Sequence, residues 1–387
     1  MRKIEQVYFL IKIKKKIYYL KNKPRLQIKS SDARGIWVGQ KRYSGKINLY
    51  ILDSEILVVN VLGIERYLSS VVGSEMPTKW PIEALKAQAI ASRTYALKQK
   101  GNYLYDIDST QKNQVYNGLE SRTYKTIRAV RNTRSLVLTH KNKLINALFH
   151  SSSAGMTENS QDVWKNEYPY LTSVVDFDKN NPKLHWDKKF SNDQLQKLFP
   201  RIGGIKKIDV LKITDTGRLK NVKVYGDFGS DQISGVDIRN RLNLKSTLVR
   251  FKFIEDNKYK SKNKNPKLLS TNSLEDEPLI HIVKAGESLN VIADQHNVNV
   301  DQIVSLNNIK DASLINIDQR ILVPRNPLNK ISAAEKILVV SGYGSGHGVG
   351  LSQWGAKYMA SEGHKAEKIL KHFYKGVQIK PFKKDYL

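Results

Sequence analysis

The chain has 387 residues, enough for two or three domains at roughly 100–200 residues each, and its 40% hydrophobic content excludes a disordered polymer. Lys and Arg outnumber Asp and Glu by 65 to 36, a formal charge of +29. This points to an anionic partner, whether nucleic acid, a membrane surface or an anionic polymer. Cysteine is absent, which removes disulfides, Cys-ligated zinc and thiol catalysis together.

Met1 to Lys23 is basic, and Lys12, Lys14, Lys15 and Lys16 stand where a signal peptide needs its apolar stretch, so no export signal is read there. No run of about 18 apolar residues occurs, so no transmembrane segment is expected. Residues 24–74 read as short strands, with Leu26–Ile28, Ile36–Val38, Ile47–Leu52 and Ile56–Val61 separated by polar or Gly-containing breaks. Val71 to Ser74 reads as the end of that strand-like region. A helix follows over Ile82–Leu97, with Pro81 at its first position. It is rich in alanine, and Ile82, Leu85, Ala89, Ala96 and Leu97 form an apolar stripe. That many alanines imply close packing against another element. Lys86 and Arg93 share one face; Leu85, Gln88, Ser92 and Tyr95 share another.

Residues 120–131 read as helix. Strands Ser135–Thr139 and Leu144–Phe149 flank the turn Lys141-Asn142-Lys143, and a Ser/Gly-rich loop spans Ser151–Ser160. Residues 207–254 read as a further strand group with a helix near Val236–Leu242. From Glu255 to about Glu277 periodicity disappears, as in an exposed linker. A compact unit, His281–Pro324, comes next. A second short linker then leads to a Gly-rich segment, Ser341–Gly355, and a last helix over Ala366–Phe373. No internal repeat is seen.

Glu75 precedes the alanine-rich helix with Met76, Pro77 and Trp80 beside it. An apolar surround raises a carboxyl pKa, and a carboxylic acid kept protonated near neutral pH suits a general acid. The helix N-terminus and Lys86 would act the other way. Taken alone, such a Glu reads first as a solvated residue or a helix-dipole partner.

Four blocks stand in order along the chain. The first joins Glu75-Met76-Pro77 and Trp80-Pro81 to the run Glu83 to Ala96. The second is Asp108-Ser109-Thr110 with Gln114-Val115-Tyr116-Asn117-Gly118. The third runs from Phe149-His150-Ser151-Ser152-Ser153 through Thr157-Glu158-Asn159-Ser160, Val163-Trp164 and Pro169-Tyr170-Leu171. The fourth is Gly344-Ser345-Gly346-His347-Gly348-Val349-Gly350-Leu351-Ser352-Gln353-Trp354-Gly355-Ala356. Together they resemble the stage II sporulation protein D (SpoIID/LytB, amidase enhancer) family.

The resemblance implies a peptidoglycan lytic transglycosylase or a modulator of cell-wall hydrolases. The sporulation members cleave glycan strands already stripped of their peptides, with the Glu of Glu-Met-Pro as catalytic acid, here Glu75. One carboxyl suffices if the 6-hydroxyl of muramic acid is the nucleophile, whereas ordinary glycosidases use two carboxylates. Groove candidates are Lys86, Gln88, Arg93, Gln114, Tyr116, His150, Ser151, Ser152, Thr157, Glu158, Asn159, His347, Gln353 and Trp354. Without the resemblance, the short polar side chains of the third block read first as a capped turn, and Trp354 suits a core at least as well. Some members bind zinc near this loop through cysteines. This chain has Ser151, Ser152, Ser153 and Ser160 there, and His150 by itself makes no site, so neither a metal nor another cofactor is expected.

The compact unit resembles a LysM module, with His281 to Leu289, Ile292-Ala293, Val300, Ile303, Leu306-Asn307 and Ile321 to Pro324 as the matching residues. The resemblance implies a βααβ fold and a shallow groove for N-acetylglucosamine-containing glycans, formed here by Gly286, Glu287, Ser288, Leu289, Asn316 and Ile317. The family commonly has Pro-Gly-Gln where this chain has Ile317-Asp318-Gln319. The fold class expected is α+β, with small antiparallel sheets packed with helices and an inserted LysM domain. The expected organisation is a basic segment 1–24, a first catalytic-domain part 25–259, a linker 260–278, the LysM module 279–325 and a second part 326–387. The expected partners are peptidoglycan glycan strands and, on the alternative reading, a cell-wall amidase; no specific nucleic acid is expected. The resemblance implies a cell-envelope, extracytoplasmic location.

Overall fold

The computed structural model describes residues 9–13, 16–20, 25–32, 34–52, 55–99, 101, 103–164, 166–255, 278–296, 298–309, 311, 314–324 and 336–387. Of the expected segment 1–24, only strands Phe9–Ile13 and Lys16–Leu20 fall within this range, paired antiparallel. The expected linker 260–278 lies outside it up to residue 277.

Ten α-helices are present among the described residues: α1 (Ile64–Glu75), α2 (Ile82–Lys98), α3 (Tyr124–Asn132), α4 (Ser160–Val163), α5 (Asn192–Leu198), α6 (Gly235–Arg241), α7 (Leu289–His296), α8 (Val300–Asn307), α9 (Gln353–Ser361) and α10 (Ala366–Phe373). With several small, mostly antiparallel sheets, they make an α+β protein. The chain divides into two units. One comprises Met1–Lys188, Lys206–Arg250 and Val340–Leu387; the other comprises Lys189–Ile205 and Phe251–Val339.

In the first unit, Arg25–Lys29, Lys46–Leu52 and Glu55–Val61 form an antiparallel sheet. The strand reading of Val71 to Ser74 is wrong: these residues lie in α1. Tyr67, Leu68, Val71 and Val72 recur at helical spacing and are all buried. That tertiary contact overrides the β preference of two adjacent valines. Pro81 is the N-cap of α2 rather than its first helical residue.

α2 is the centre of the unit. It packs on α1, α3, α9 and α10, and Ala84, Ala87, Ala89 and Ala91 are fully buried. The single stripe expected from the sequence becomes a helix buried on nearly every side. Alanine permits this because it lets four neighbouring helices approach closely.

The hairpin Leu136–His140 to Lys143–Leu144 turns at Lys141 and Asn142, which have φ of 47° and 59°. Both central residues are left-handed, as a type I′ turn requires. Of the expected strand Leu144–Phe149, Leu144 ends the hairpin strand and Phe149 begins a further one, Phe149–His150, which runs parallel to Leu351–Ser352. This joins the third sequence block to the fourth. Helix α9, inside the fourth block, has no counterpart in the sequence reading.

In the second unit, Leu279–Ile282 pairs antiparallel with Arg320–Val323 around α7 and α8, the expected βααβ order. Its core is Val283, Leu289, Ile292, Ala293, Ile303, Ile321 and Val323. The Asn307 side chain holds α8 to the last strand, donating to Leu322 O at 2.6 Å and accepting from Leu322 N at 2.6 Å. Asp318 takes φ 65° where the resemblance places a glycine. Aspartate is one of the few side chains that visits this region, so the turn keeps its shape.

Candidate functional site

α1 ends at Glu75 because Pro77 stands two residues further on. A residue before proline is pushed out of the helical region, and that residue is Met76. Met76 is accordingly extended, at φ −127° and ψ 142°. The carboxylate is left at a corner between α1 and α2. Its Oε1 accepts a hydrogen bond from the Val115 N–H at 2.7 Å, and its Oε2 accepts one from Gln353 Nε2 at 3.1 Å. Burial raises its pKa, and these two hydrogen bonds oppose the rise without cancelling it. The C-terminal end of α1 acts in the same direction as burial. The opposing influence expected from Lys86 is absent, because Lys86 pairs with Glu83 at 2.7 Å.

Three of the four sequence blocks thus converge on one carboxyl: Glu75, Val115 and Gln353. The segment 114–117 is tied down around it. Gln114, fully buried, donates to Ser92 O at 3.0 Å and accepts from Tyr67 OH at 3.4 Å. The Tyr116 hydroxyl donates to Asn60 Oδ1 at 2.6 Å, and its ring centroid is 5.1 Å from that of Tyr67. The Asn117 N–H donates to Ser74 Oγ at 3.2 Å. Gln114 and Tyr116 therefore support the Val115 N–H rather than presenting free polar ends. Beyond these tyrosines lies a cavity of about 660 Å³ lined by Asn60, Tyr67, Leu104, Ser109 and Tyr116. That is the size of a small-molecule site, but Glu75 does not line it.

On the side of Gln353, Trp354 meets Trp80 edge to face, with centroids 4.9 Å apart. The Lys357 ammonium lies 4.5 Å from the Trp354 centroid and 5.8 Å from that of Trp80. Trp354 is thus half-buried and carries a cation over its ring.

The third block reaches this region through Ser151, whose carbonyl accepts the Trp354 N–H at 3.1 Å. His150 is buried. Its Nδ1 faces the Val349 carbonyl at 3.1 Å, which can only accept, so Nδ1 carries the proton. Its Nε2 then accepts from Ser153 Oγ at 2.6 Å. His347 lies tilted against it, with centroids 5.5 Å apart, and also meets Trp164 edge to face at 5.1 Å. Burial depresses both imidazoles, so both are neutral at physiological pH.

The other polar candidates are engaged in internal bonds. Ser152 donates to Asp178 Oδ2. Thr157 is held by Val174, and Asn159 Oδ1 accepts from Ser173 N at 2.8 Å. Glu158 accepts from Thr214 and Thr216 and lies 3.8 Å from Arg218. Sequence reasoning missed Asp176, Asp178 and Arg218, which belong to none of the four blocks. Asp178 accepts the backbone N–H groups of Ala154 and Gly155, and Arg218 donates to Ser153 O at 2.6 Å. Burial, then the neighbouring Asp178, hold the Asp176 carboxyl well above the usual carboxylate range.

Two groove candidates on α2 stand elsewhere. Arg93 is 1% exposed and grips Glu65 with two hydrogen bonds, at 2.7 and 3.0 Å, while also donating to Leu136 O. Gln88 is fully buried and donates to Ser92 Oγ at 3.0 Å. Neither bonds to Glu75.

In the LysM unit, Leu289 is 2% exposed and belongs to the core, whereas Ile317 is 61% exposed. Glu287 accepts from His281 Nε2 at 2.9 Å, from Lys284 N at 2.9 Å and from Gln295 Nε2 at 3.1 Å, and these bonds hold its carboxyl down at about 2. Gly286 has φ 84°, Ser288 Oγ accepts the Val291 N–H at 3.4 Å, and Asn316 N donates to Gln319 Oε1 at 2.8 Å. Glu287 and Asn316 thus shape the two loops. No group of three or more His, Asp or Glu among the described residues is arranged to hold a metal ion.

These features fall in two recognisable domains. Residues 52–140 match the SpoIID family (Stage II sporulation protein), and residues 281–324 match the LysM domain family. The chain carries both domains. It is 27% identical over 345 residues to an uncharacterized protein of Brachyspira hyodysenteriae, covering 87% of this chain and 72% of that one. It is 28% identical to the amidase enhancer of Bacillus subtilis, over 81% of this chain and 40% of that protein. It is 27% identical to stage II sporulation protein D of Bacillus amyloliquefaciens, over 83% and 75%. The chain thus spans less than half of the amidase enhancer. No helix among the described residues is long and apolar enough to cross a membrane.

Proposed function

We propose that the chain is a lytic transglycosylase acting outside the cytoplasm on peptide-stripped peptidoglycan strands, with Glu75 as the catalytic residue. The observation that carries this reading is the state of its carboxyl: burial raises its pKa, while the Val115 N–H and Gln353 stand ready to stabilise its anion. Such a group can give up a proton and take one back.

The reaction needs both acts. Glu75 protonates the glycosidic oxygen between muramic acid and the next sugar, and the C1–O bond breaks. The 6-hydroxyl of the same muramic acid attacks C1 and loses its proton to the Glu75 carboxylate. The products are a 1,6-anhydro-muramyl end and a free 4-hydroxyl; no water is consumed, and Glu75 is regenerated. Gln353 suits both states, because an amide can donate to a carboxylate or accept from a carboxylic acid. The LysM unit would hold the protein on its polymer and raise the local concentration of strands. Purified protein given stripped glycan forms anhydro ends on this reading, and Glu75→Gln abolishes them.

A second reading is a noncatalytic modulator that binds glycan and assists an amidase. It is favoured by the name of the Bacillus subtilis relative and by the many groove candidates engaged in internal bonds. It predicts stimulation of an amidase that survives Glu75→Gln.

A further inference from the structure

We infer that Lys357 is a specificity-determining residue that pairs with the free lactyl carboxylate of a stripped muramic acid. The inference rests on the reading of Glu75 as the catalytic acid.

Lys357 and Gln353 are four residues apart on α9, so they share one face, separated by about one 5.4 Å turn. Gln353 reaches Glu75 from that face. The ammonium is gathered between two tryptophan rings, 4.5 and 5.8 Å from their centroids, and no carboxylate among the described residues lies within ion-pair distance of it. A cation held over aromatic rings without an acidic partner, one helical turn from the group that contacts the catalytic carboxyl, is suited to receive an anion.

Beside it lies a hollow of about 120 Å³ lined by Phe177, Asp178, Trp354, Lys357, Tyr358 and Glu362, in which the Asp178 carboxylate is already engaged by the Ser152 hydroxyl and the Ala154 and Gly155 N–H groups. Pockets for whole ligands are roughly 300–1,000 Å³, so this one takes a substituent rather than a sugar ring. Muramic acid carries such a substituent, a lactyl ether on C3. In intact peptidoglycan its carboxyl is an amide bearing the peptide stem, neutral and bulky. Stripping the peptide leaves a small carboxylate. Lys357 therefore discriminates by charge, and the size of the hollow by bulk.

The test uses the full chain carrying Glu75→Gln, so that binding is read without turnover. Three soluble glycan oligosaccharides are compared: stripped with free carboxylates, stripped with carboxylates methyl-esterified, and peptide-bearing. The free carboxylate is expected to bind best. Lys357→Gln should weaken that binding about tenfold, the scale of a charge-assisted hydrogen bond, while leaving the ester unchanged. Lys357→Arg should restore the preference. Equal binding of free acid and ester by the parent chain, or a Lys357→Gln chain that keeps the preference, overturns the inference. Failure of the catalytic reading is seen separately, as the absence of anhydro ends from the unsubstituted chain.

Discussion

At the scale of single residues, the chemistry turns on what burial does to Glu75. Its folded pKa is raised, so the acid form persists to higher pH than for an exposed glutamate, and activity should fall as pH rises through that raised value. Gln353 opposes the rise, so Gln353→Leu should move the alkaline limb of the pH–rate profile further up while lowering the rate. A limb that moves down contradicts the assignment. The same shift affects stability. A carboxyl with a raised folded pKa contributes most when protonated, and that contribution is lost as pH rises through the folded value. Glu75→Gln should therefore gain in Tm relative to the parent chain as pH rises from the ordinary glutamate value through the raised folded one, as thermal melts would show. In the LysM unit, Asp318 holds φ 65°, which glycine adopts without strain. Asp318→Gly should stabilise that unit by a few tenths to about 1 kcal/mol in denaturant titration.

At the scale of elements, the sequence blocks identified the catalytic candidate but not the frame that holds it. The βααβ order was legible through the LysM resemblance, and the alanine-rich helix through its composition and apolar stripe. α1 was not, because Val71-Val72 carries a strand preference that only packing overturns. Arg93 shows the same limit for the site. Two lysine- and arginine-bearing positions on one helical face look like a groove, yet Arg93 is inside, locked to Glu65 and to a backbone carbonyl. Arg93→Ala should therefore cost about 3 kcal/mol of stability, at the low end for a broken buried pair because Glu65 is partly exposed. It should leave glycan affinity of the folded protein unchanged, and loss of affinity without loss of stability would restore the groove reading. Asp176, Asp178 and Arg218 had no sequence signal because they come from separate segments joined only in the fold. The glycines of the fourth block were legible as loop formers, but their purpose was not. A Cβ on Gly346 would stand 2.6 Å from the His150 Cβ, and one on Gly348 would stand 2.8 Å from the Arg218 guanidinium carbon. Close approach to His150 and Arg218 explains them.

At the scale of the whole molecule, charge and modularity divide the work. A formal charge of +29 favours accumulation at an anionic envelope, and exposed charges more than about 8–10 Å apart are screened at physiological salt. Retention on isolated walls should weaken as salt rises, whereas cleavage of short soluble strands should depend on salt far less. The LysM unit has its own core and can be replaced by a short flexible linker. Replacement should reduce wall retention about a hundredfold while sparing the cleavage of soluble stripped glycan. Loss of both would mean that the module takes part in the chemistry. Both expectations depend on there being a reaction at Glu75. The most direct measurement is mass analysis of the products when purified protein is incubated with peptide-stripped glycan. A single catalytic carboxyl at Glu75 predicts 1,6-anhydro-muramyl ends from the parent chain and none from Glu75→Gln. Reducing ends from hydrolysis, no product at all, or anhydro ends that persist after the substitution would contradict it.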